Sequence, residues 1–148
     1  MSISTVVRNA NNAADDFIDT SAFLSLEDES DQYHEGTIQF REQVLRMRRY
    51  EIVTTSYILD ETLTLIRFRI GIKASIDFSK KLRMSEVVKS VYISRGIEER
   101  ALDIFEKYDD KDFSFTDCVS FVVMWEMGIK EAFAFDHHFD QMGFVRKP

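Results

Sequence analysis

Short apolar segments alternate along this chain with longer segments whose apolar residues recur at helical spacing. The five short segments read FID at 17–19, YEIVTTS at 50–56, VVKSVYIS at 87–94, EAFAFD at 131–136 and FVRK at 144–147. Their β-branched and aromatic content is typical of strands. Because parallel strands need a crossover between them, the alternation predicts an α/β fold. We expect a mainly parallel sheet of roughly five strands, covered on both faces as a three-layer α/β/α sandwich.

The segments between these strands have the features of helices. The long ones span 31–49, 57–71, 72–82, 97–110 and 112–128, and shorter helical segments follow DTS and DHH. Gly71 and Gly128 stand where two of the long helices should stop. The segment that ends at Gly128 is apolar almost all round, which indicates a buried helix.

The 148 residues suit one domain with a core of its own. We assign residues 1–15, which are polar and aperiodic, to a lead-in, and residues 16–148 to a single domain. No apolar run approaches the roughly 18 residues needed to span a bilayer, and the first residues lack the apolar core of a signal peptide. The lone cysteine, Cys118, fits a reducing compartment. We therefore expect a cytoplasmic protein that does not enter membranes.

Four acidic residues fall where the sheet should carry a ligand site. In parallel sheets of this kind, ligands bind outside the carboxyl ends of the strands. Asp19 and Asp136 are expected to end strands, Glu61 to lie in the first turns of the helix after the second strand, and Asp117 to lie in the first turn of the buried helix. Four acids from four segments could therefore meet at one edge.

Carboxylates that are packed together repel one another unless a cation neutralises them. A hard ion with oxygen ligands, Mg²⁺ or Mn²⁺, suits such a set. An ion of this kind binds phosphate through its open positions, so phosphodiester hydrolysis is the leading chemistry. Each acid also has a simpler interpretation: Asp19 and Asp117 as helix caps, Glu61 as an exposed helical residue, and Asp136 as the residue that opens a turn.

Four stretches of the chain, taken in order and spacing, resemble the PIN-domain family, and in particular its prokaryotic branch of VapC-type toxins. They are IDTSAF, TTSYILDETLTLIR, DKDFSFTDCVSFVVM and FAFDHHFDQMGF. The resemblance covers residues 17–145, nearly the whole chain, and implies a single PIN-like domain over 16–148. It implies a Mg²⁺- or Mn²⁺-dependent endoribonuclease whose catalytic and metal-binding acids carry over to Asp19, Glu61, Asp117 and Asp136.

The resemblance also implies features around these acids. Hydroxyl groups near the first and third acids assist the site in the family, which points here to Ser21, Ser114 or Thr116. Toxins of this branch commonly form homodimers and are silenced by a small antitoxin protein whose tail enters the active-site groove. An RNA-processing nuclease of the same fold without an antitoxin is the alternative, and a neighbouring antitoxin gene would separate the two.

The tandem histidines after Asp136 allow a different metal site. DHH phosphoesterases bind Mn²⁺ through Asp and His, but they need further histidine chemistry, and the remaining histidine here, His34, lies in a distant helix. If Asp136 ends a strand and points into the crevice, His137 and His138 should point elsewhere. We therefore expect Asp136, and not the histidines, to belong to the site.

The formal net charge of −7 argues against non-specific binding of polyanions, so any RNA contact needs a local basic cluster. Arg67, Arg69 and Lys73 follow Glu61 along the chain and are our candidates for RNA binding, although a solvated helix end would explain them as well. A non-catalytic signalling domain is the remaining class. Receiver domains need an Asp at the end of the third strand, where this chain has Tyr-Ile-Ser, and we set that class aside.

Overall fold

Five parallel strands form a single sheet at the centre of the protein, whose computed structural model describes residues 14–47 and 49–148. The strands are β1 (Asp16–Ile18), β2 (Ile52–Thr55), β3 (Val88–Val91), β4 (Glu131–Phe133) and β5 (Val145–Lys147). They lie in the order β3-β2-β1-β4-β5, and each pair of neighbours runs parallel. Every residue of β1 and β2 is buried. Since successive strand residues point to opposite faces, both faces of the sheet are covered.

Seven helices within the described ranges connect the strands, in pairs except before the last strand. They are α1 (Thr20–Glu27), α2 (His34–Arg46), α3 (Ser56–Arg69), α4 (Ile72–Met84), α5 (Arg95–Lys107), α6 (Phe115–Met127) and α7 (His138–Gln141). The predicted α/β class, the parallel five-stranded sheet and the helical crossovers are therefore confirmed. β1, the first strand along the chain, lies in the middle of the sheet.

Two predicted boundaries are wrong for local reasons. The helix expected from residue 31 begins at His34, because the Asp31 carboxylate accepts the backbone N–H of Tyr33 (2.8 Å) in a turn that precedes α2. β4 ends at Phe133, so Asp136 does not end the strand as expected. The N–H of Phe135 leaves the sheet ladder and donates to Ser21 Oγ (3.0 Å), which turns the chain away from the strand direction.

α6 is buried because other elements cover it on several sides. It packs against α5 and α3, and eight consecutive residues from Asp117 to Met124 are buried. Phe121 in this helix contacts the rings of Phe113, Phe139 and Phe144 at centroid distances of 5.1, 5.5 and 5.9 Å. The nearly uniform apolar character of the helix is therefore explained by its place in the core.

A buried acid lies at the amino edge of the sheet, where β1 begins. Asp16 is fully buried and accepts a hydrogen bond from the hydroxyl of Tyr50. Lys147 Nζ lies 3.4 Å from Asp16 Oδ1 and 2.6 Å from Glu131 Oε2. Burial raises the pKa of Asp16, while Tyr50 and Lys147 oppose that rise. Lys147 of β5 is thus the cation that compensates a charge buried in β1.

The predicted lead-in, 1–15, falls mostly outside the described residues, which begin at Ala14. Ala14 is buried, and the N–H of Asp15 donates to the carbonyl of Glu51 (2.9 Å). Both residues therefore pack against the domain. Among the described residues, none of the helices combines the length and the apolar character that crossing a membrane requires.

Candidate active site

Four acidic residues surround the edge of the sheet where the central strands end. Asp19 follows β1 directly, and Glu61 lies in the second turn of α3, which starts at the end of β2. Asp117 is in the first turn of α6, and Asp136 lies three residues beyond β4. Burial is the main cause that raises the pKa values of Asp19, Glu61 and Asp117. The charges of Asp117 and Glu61 raise the pKa of Asp19 further. The charge of Asp136 does the same for Glu61 and Asp117. Each of the four acids predicted from sequence is thus within electrostatic range of at least two of the others.

Asp19 is the most deeply placed of the four, with 6% of its surface exposed. Its Oδ2 accepts the Ser21 hydroxyl (2.7 Å) and the Ser21 backbone N–H (3.2 Å), so it caps α1. Burial, together with the nearby acids, raises the pKa of Asp19 to about 7, although the hydrogen bonds from Ser21 oppose this. A buried carboxylate held only by hydroxyl and amide groups favours a cation beside it.

Glu61 is half-buried on α3, within electrostatic range of the other three acids. Burial is the main cause that raises the pKa of Glu61, and the hydroxyl groups of Thr20 and Thr116 oppose it by hydrogen bonding. The simpler interpretation of Glu61 as an exposed helical residue is therefore wrong. Thr20, which sequence reasoning missed, joins Thr116 in orienting this carboxylate.

Asp117 has two structural roles at once. Its Oδ2 accepts the backbone N–H of Ser114 (3.0 Å), and its own N–H donates to Ser114 Oγ (3.0 Å), which completes a capping box at the start of α6. The same Oδ2 lies 2.9 Å from His138 Nδ1. The capping interpretations of Asp19 and Asp117 are confirmed, yet capping does not remove either acid from the crevice. It fixes the direction in which each one points.

Asp136 opens the turn that becomes α7, as the simpler interpretation held. Its Oδ1 accepts the backbone N–H of His138 (3.0 Å) and lies 3.1 Å from His138 Nδ1. The expectation that His138 points away from the acids is wrong: its ring lies between Asp117 and Asp136, and 13% of its side chain is exposed. His137 agrees better with expectation, since 69% of its side chain is exposed.

Among the described residues, Asp136, His137 and His138 have ligand atoms that lie within 4.8 Å of one another, close enough to hold one cation, whereas the four predicted acids do not form such a group. Sequence reasoning missed His138 because the strand was expected to reach Asp136. With β4 ending at Phe133, the turn rotates residue 138 towards α6. The acids therefore share their crevice with one imidazole ring.

The predicted supporting hydroxyl groups have different roles in the structure. Ser21 Oγ donates to Asp19 and accepts from the N–H of Phe135, so it joins the end of β1 to the segment before Asp136. Ser114 caps α6, and Thr116 hydrogen-bonds to Glu61. Each of the three hydroxyl residues thus fixes a different part of the acidic cluster.

The predicted basic residues do not all lie together. A groove of about 410 Å³ between α3 and α4 is lined by Arg67 with Lys80 and Arg83, and by the hydroxyl groups of Thr64, Ser75 and Ser79. Arg69 and Lys73 are exposed and are not part of this lining; Arg69 lies within electrostatic range of Asp28 instead. The groove begins on α3 one turn beyond Glu61. Its basic side chains therefore follow one another in the direction that leads away from the acids.

Comparisons with known proteins agree on one family. The model of the PIN domain matches residues 17–145. A protein of Mycobacterium tuberculosis (strain H37Rv) named 23S rRNA-specific endonuclease VapC20 is 33% identical over 129 residues, which cover 87% of this chain and 95% of that protein. A protein of Archaeoglobus fulgidus named VapC ribonuclease is 30% identical over 115 residues, which cover 76% and 72%. Both relatives are thus named as nucleases that cut RNA.

Solved structures show the same fold. The crystal structure of Mycobacterium tuberculosis VapC20, described as a sarcin–ricin loop cleaving toxin, superposes with a TM-score of 0.79 at 31% identity, covering 87% of this chain and 95% of that one. The structure of FitAcB from Neisseria gonorrhoeae superposes with a TM-score of 0.66 at 9% identity, covering 89% and 96%. The second likeness concerns the fold alone.

Proposed function

Because the chain belongs to the PIN-domain family and to its VapC-type branch, we propose that it is a Mg²⁺- or Mn²⁺-dependent endoribonuclease that hydrolyses RNA phosphodiester bonds. The observation that supports the proposal is the mutual electrostatic influence of Asp19, Glu61, Asp117 and Asp136, which all lie near the edge where the central strands end. Their burial and mutual repulsion raise the pKa values of the first three. Among the described residues, no basic group is paired with Asp19, and a set of carboxylate oxygens of this kind is the ligand chemistry that a hard divalent cation prefers.

In this proposal the four acids hold the ion, and other residues hold the acids. Bound there, the cation would polarise a phosphoryl oxygen, activate a water molecule and screen the developing charge. Ser21 orients Asp19, Ser114 orients Asp117 through the capping box, and Thr20 and Thr116 orient Glu61. His138 holds Asp117 and Asp136 in place from the side of α7. These hydrogen bonds fix the direction of each acid, and binding of the ion would draw their oxygens closer together.

The direct experiment incubates the purified protein with total cellular RNA and Mg²⁺ or Mn²⁺, then maps the cut ends. We expect specific cuts that EDTA and Asp19→Asn both abolish. A hairpin with the sarcin–ricin loop of 23S rRNA should be included, because the names of the 33% and 31% identical relatives specify that RNA. Cleavage that persists in EDTA, or in Asp19→Asn, would refute the metal-dependent mechanism.

Metal binding can be measured apart from cleavage. We expect Mn²⁺ or Mg²⁺ to raise the melting temperature of the wild-type protein, since an ion that binds only the folded state stabilises it. Asp19→Asn should not respond, whereas the exposed Asp103→Asn on α5 should respond like the wild type. Equal responses in all three proteins would place the ion elsewhere.

The protein is further proposed to be the toxin of a type II toxin–antitoxin pair that acts on RNA in the cytoplasm. Four apolar residues of α3, α4 and the link between them are exposed: Phe68, Ile70, Ile72 and Ile76. Together with the groove on α3 and α4, they offer a surface for the tail of a small antitoxin. Co-expression with the product of a neighbouring small gene should yield a complex without nuclease activity. A free, active nuclease with no such gene beside its own would favour the RNA-processing alternative.

A homodimer is part of the same proposal. Leu102, Phe105 and Trp125 on α5 and α6 are large apolar residues with 43–48% of their surface exposed. Burial of such side chains between two copies would stabilise a dimer. Light scattering on the wild type and on Trp125→Glu tests this, with a dimer expected for the first and a monomer for the second. A monomeric wild type would contradict it.

A further inference from the structure

We propose that Tyr33 and Phe135 form a subsite that stacks one nucleobase of the RNA beside the acidic cluster. This inference rests on the proposed function, since it assigns part of the substrate of the same site. Tyr33 lies outside the four stretches that carry the family resemblance, and Phe135 lies within one of them without a role assigned to it.

An aromatic column runs from the core to the surface next to the crevice. The rings of Phe40 and Phe133 are 4.4 Å apart, those of Phe133 and Phe135 are 6.2 Å apart, and those of Phe135 and Tyr33 are 4.3 Å apart. The last pair is parallel, with an interplanar angle of 3°. Tyr33 is the exposed end of the column, with 45% of its surface accessible. A further flat ring can extend a parallel stack of this kind.

A cavity of about 710 Å³ opens beside this exposed end. Its volume lies within the range of roughly 300–1,000 Å³ that is common for small-ligand pockets. The rings of Tyr33 and Phe135 form part of its wall, and Gln32, Asp140 and Arg146 add polar groups. A base needs both kinds of lining, because its faces are apolar and its edge carries donors and acceptors.

The charge in the cavity is already neutralised. Arg146 donates to Asp140 Oδ2 through Nε (2.8 Å), with Nη2 also at 2.8 Å, and Nη1 donates to the carbonyl of Phe135 (2.8 Å). Since its guanidinium group is committed to these partners, it offers little attraction to a phosphate. The cavity therefore suits an uncharged base better than the RNA backbone. In a chain with a net charge of −7, stacking supplies affinity that long-range attraction cannot.

The position of the pair links it to the acids. Phe135 precedes Asp136, with consecutive Cα atoms about 3.8 Å apart, and its N–H donates to the same Ser21 hydroxyl that holds Asp19. The backbone under Tyr33 is also fixed, because its N–H donates to Asp31 (2.8 Å) and its carbonyl accepts from Thr37. A base on this platform would belong to a nucleotide next to the one whose phosphate reaches the acids.

The test uses a short RNA that spans one mapped cut site. We expect Tyr33→Ala to lower kcat/KM by about 10- to 100-fold, mainly through KM, as the loss of one stacked base predicts. Tyr33→Phe, which keeps the ring, should behave like the wild type. Tyr92→Ala is the matched control, since Tyr92 is an exposed tyrosine that follows β3, at the opposite edge of the sheet.

Abasic nucleotides identify the contacted base. One abasic position near the cut should reduce wild-type kcat/KM as much as Tyr33→Ala does, and should reduce that of the variant no further. If every abasic position affects the wild type and Tyr33→Ala equally, or if Tyr33→Ala cleaves like the wild type, the proposal is wrong. It is also wrong if Tyr33→Ala leaves RNA cleavage unchanged but loses a peptide partner, because the cavity would then be a protein-binding site.

Binding separates this inference from the proposed function. Asp19→Asn is mixed in EDTA with sarcin–ricin hairpins that carry 2-aminopurine at each loop position in turn. It should quench the fluorescence of one of these probes, and the double variant with Tyr33→Ala should not. If no RNA is cut by the wild type but quenching depends on Tyr33, the nuclease proposal fails while the stacking site stands. Quenching that is the same with and without Tyr33 removes the stacking site alone.

Discussion

Asp19 is a residue whose folded environment opposes its charged form. Burial and two neighbouring acids raise the pKa of Asp19 to about 7 from an ordinary value of 3.8. A carboxyl group with a raised pKa in the folded state contributes its full stability below the unfolded value. That contribution is lost as the pH rises through the folded value. Without a metal ion, the protein should therefore lose stability between about pH 4 and pH 8.

Asp19→Asn should remove this pH dependence. In EDTA at pH 8, we expect the variant to be more stable than the wild type by about 2 kcal/mol; a rise in pKa from 3.8 to about 7 sets an upper limit of about 4 kcal/mol. At pH 4 the two proteins should differ little. Urea unfolding at a series of pH values measures both quantities, with Asp103→Asn as the control. A variant less stable than the wild type at pH 8 would contradict the assigned cause.

His138 gives a second prediction at the scale of a residue. If it positions Asp117 and Asp136 without binding the ion, His138→Ala should lower kcat/KM by about 10- to 100-fold but keep a saturable response to Mn²⁺. His137→Ala, which removes an exposed ring, should have little effect. Complete loss of Mn²⁺ binding in His138→Ala, measured by calorimetry, would show instead that the histidine is a ligand.

His138 also shows which part of the site could not be predicted from the sequence. The four acids could be placed at one edge because each follows a recognisable strand or begins a recognisable helix. The direction in which the His138 ring points could not be predicted, because it depends on where β4 ends, at Phe133, and on the turn that follows. Thr20 was missed for a similar reason: its hydroxyl reaches Glu61 only through the packing of α1 against α3.

At the scale of elements, the first residues of several helices fix the positions of side chains in this protein. α1, α3, α5 and α6 each begin with a side-chain cap, at Asp19, Thr55, Ser94 and Ser114. Residues of this type before an apolar segment are a strong sequence signal, so these helices were predicted near their observed starts. α2 lacks a side-chain cap at Tyr33, and its start was misplaced.

Two matched serine caps test whether capping also serves the site. Ser114→Ala and Ser94→Ala should each lower the free energy of unfolding by about 1 kcal/mol, since each removes one bond to a helix N-terminus. Only Ser114→Ala should also weaken Mn²⁺ binding, because the N–H of Asp117 loses its acceptor and the helical turn that directs the Asp117 carboxylate is loosened. Equal Mn²⁺ affinities in the two variants would show that the cap and the site are independent.

For the whole molecule, the proposed function requires RNA to bind a chain with a formal net charge of −7. The cations that share a groove are Arg67, Lys80 and Arg83, which lie on two adjacent helices. This grouping was only partly predictable, because residues from separate helices meet through the packing of α3 against α4. Of the residues that sequence order suggested, Arg67 lines the groove, whereas Arg69 and Lys73 do not.

Charge reversal in this groove should change how RNA binding responds to salt. We expect Arg67→Glu and Arg83→Glu each to weaken binding and to reduce the slope of log K against log salt concentration by about 1. Arg46→Glu is the control, since Arg46 ends α2 at the side of the sheet where β2 begins. Filter binding in EDTA at several salt concentrations gives the slopes. Identical slopes for all variants would mean that the RNA passes elsewhere.

The pairing of Lys147 with Asp16 has a consequence for the time at which this protein acquires its structure. The central strand is among the first segments to leave the ribosome, but the cation for its buried carboxylate arrives only when β5 has been synthesised. Until then, closing the sheet around β1 would bury an uncompensated charge. Nascent chains should therefore stay open around β1 until β5 docks, and the site proposed to cut RNA should not be complete before then.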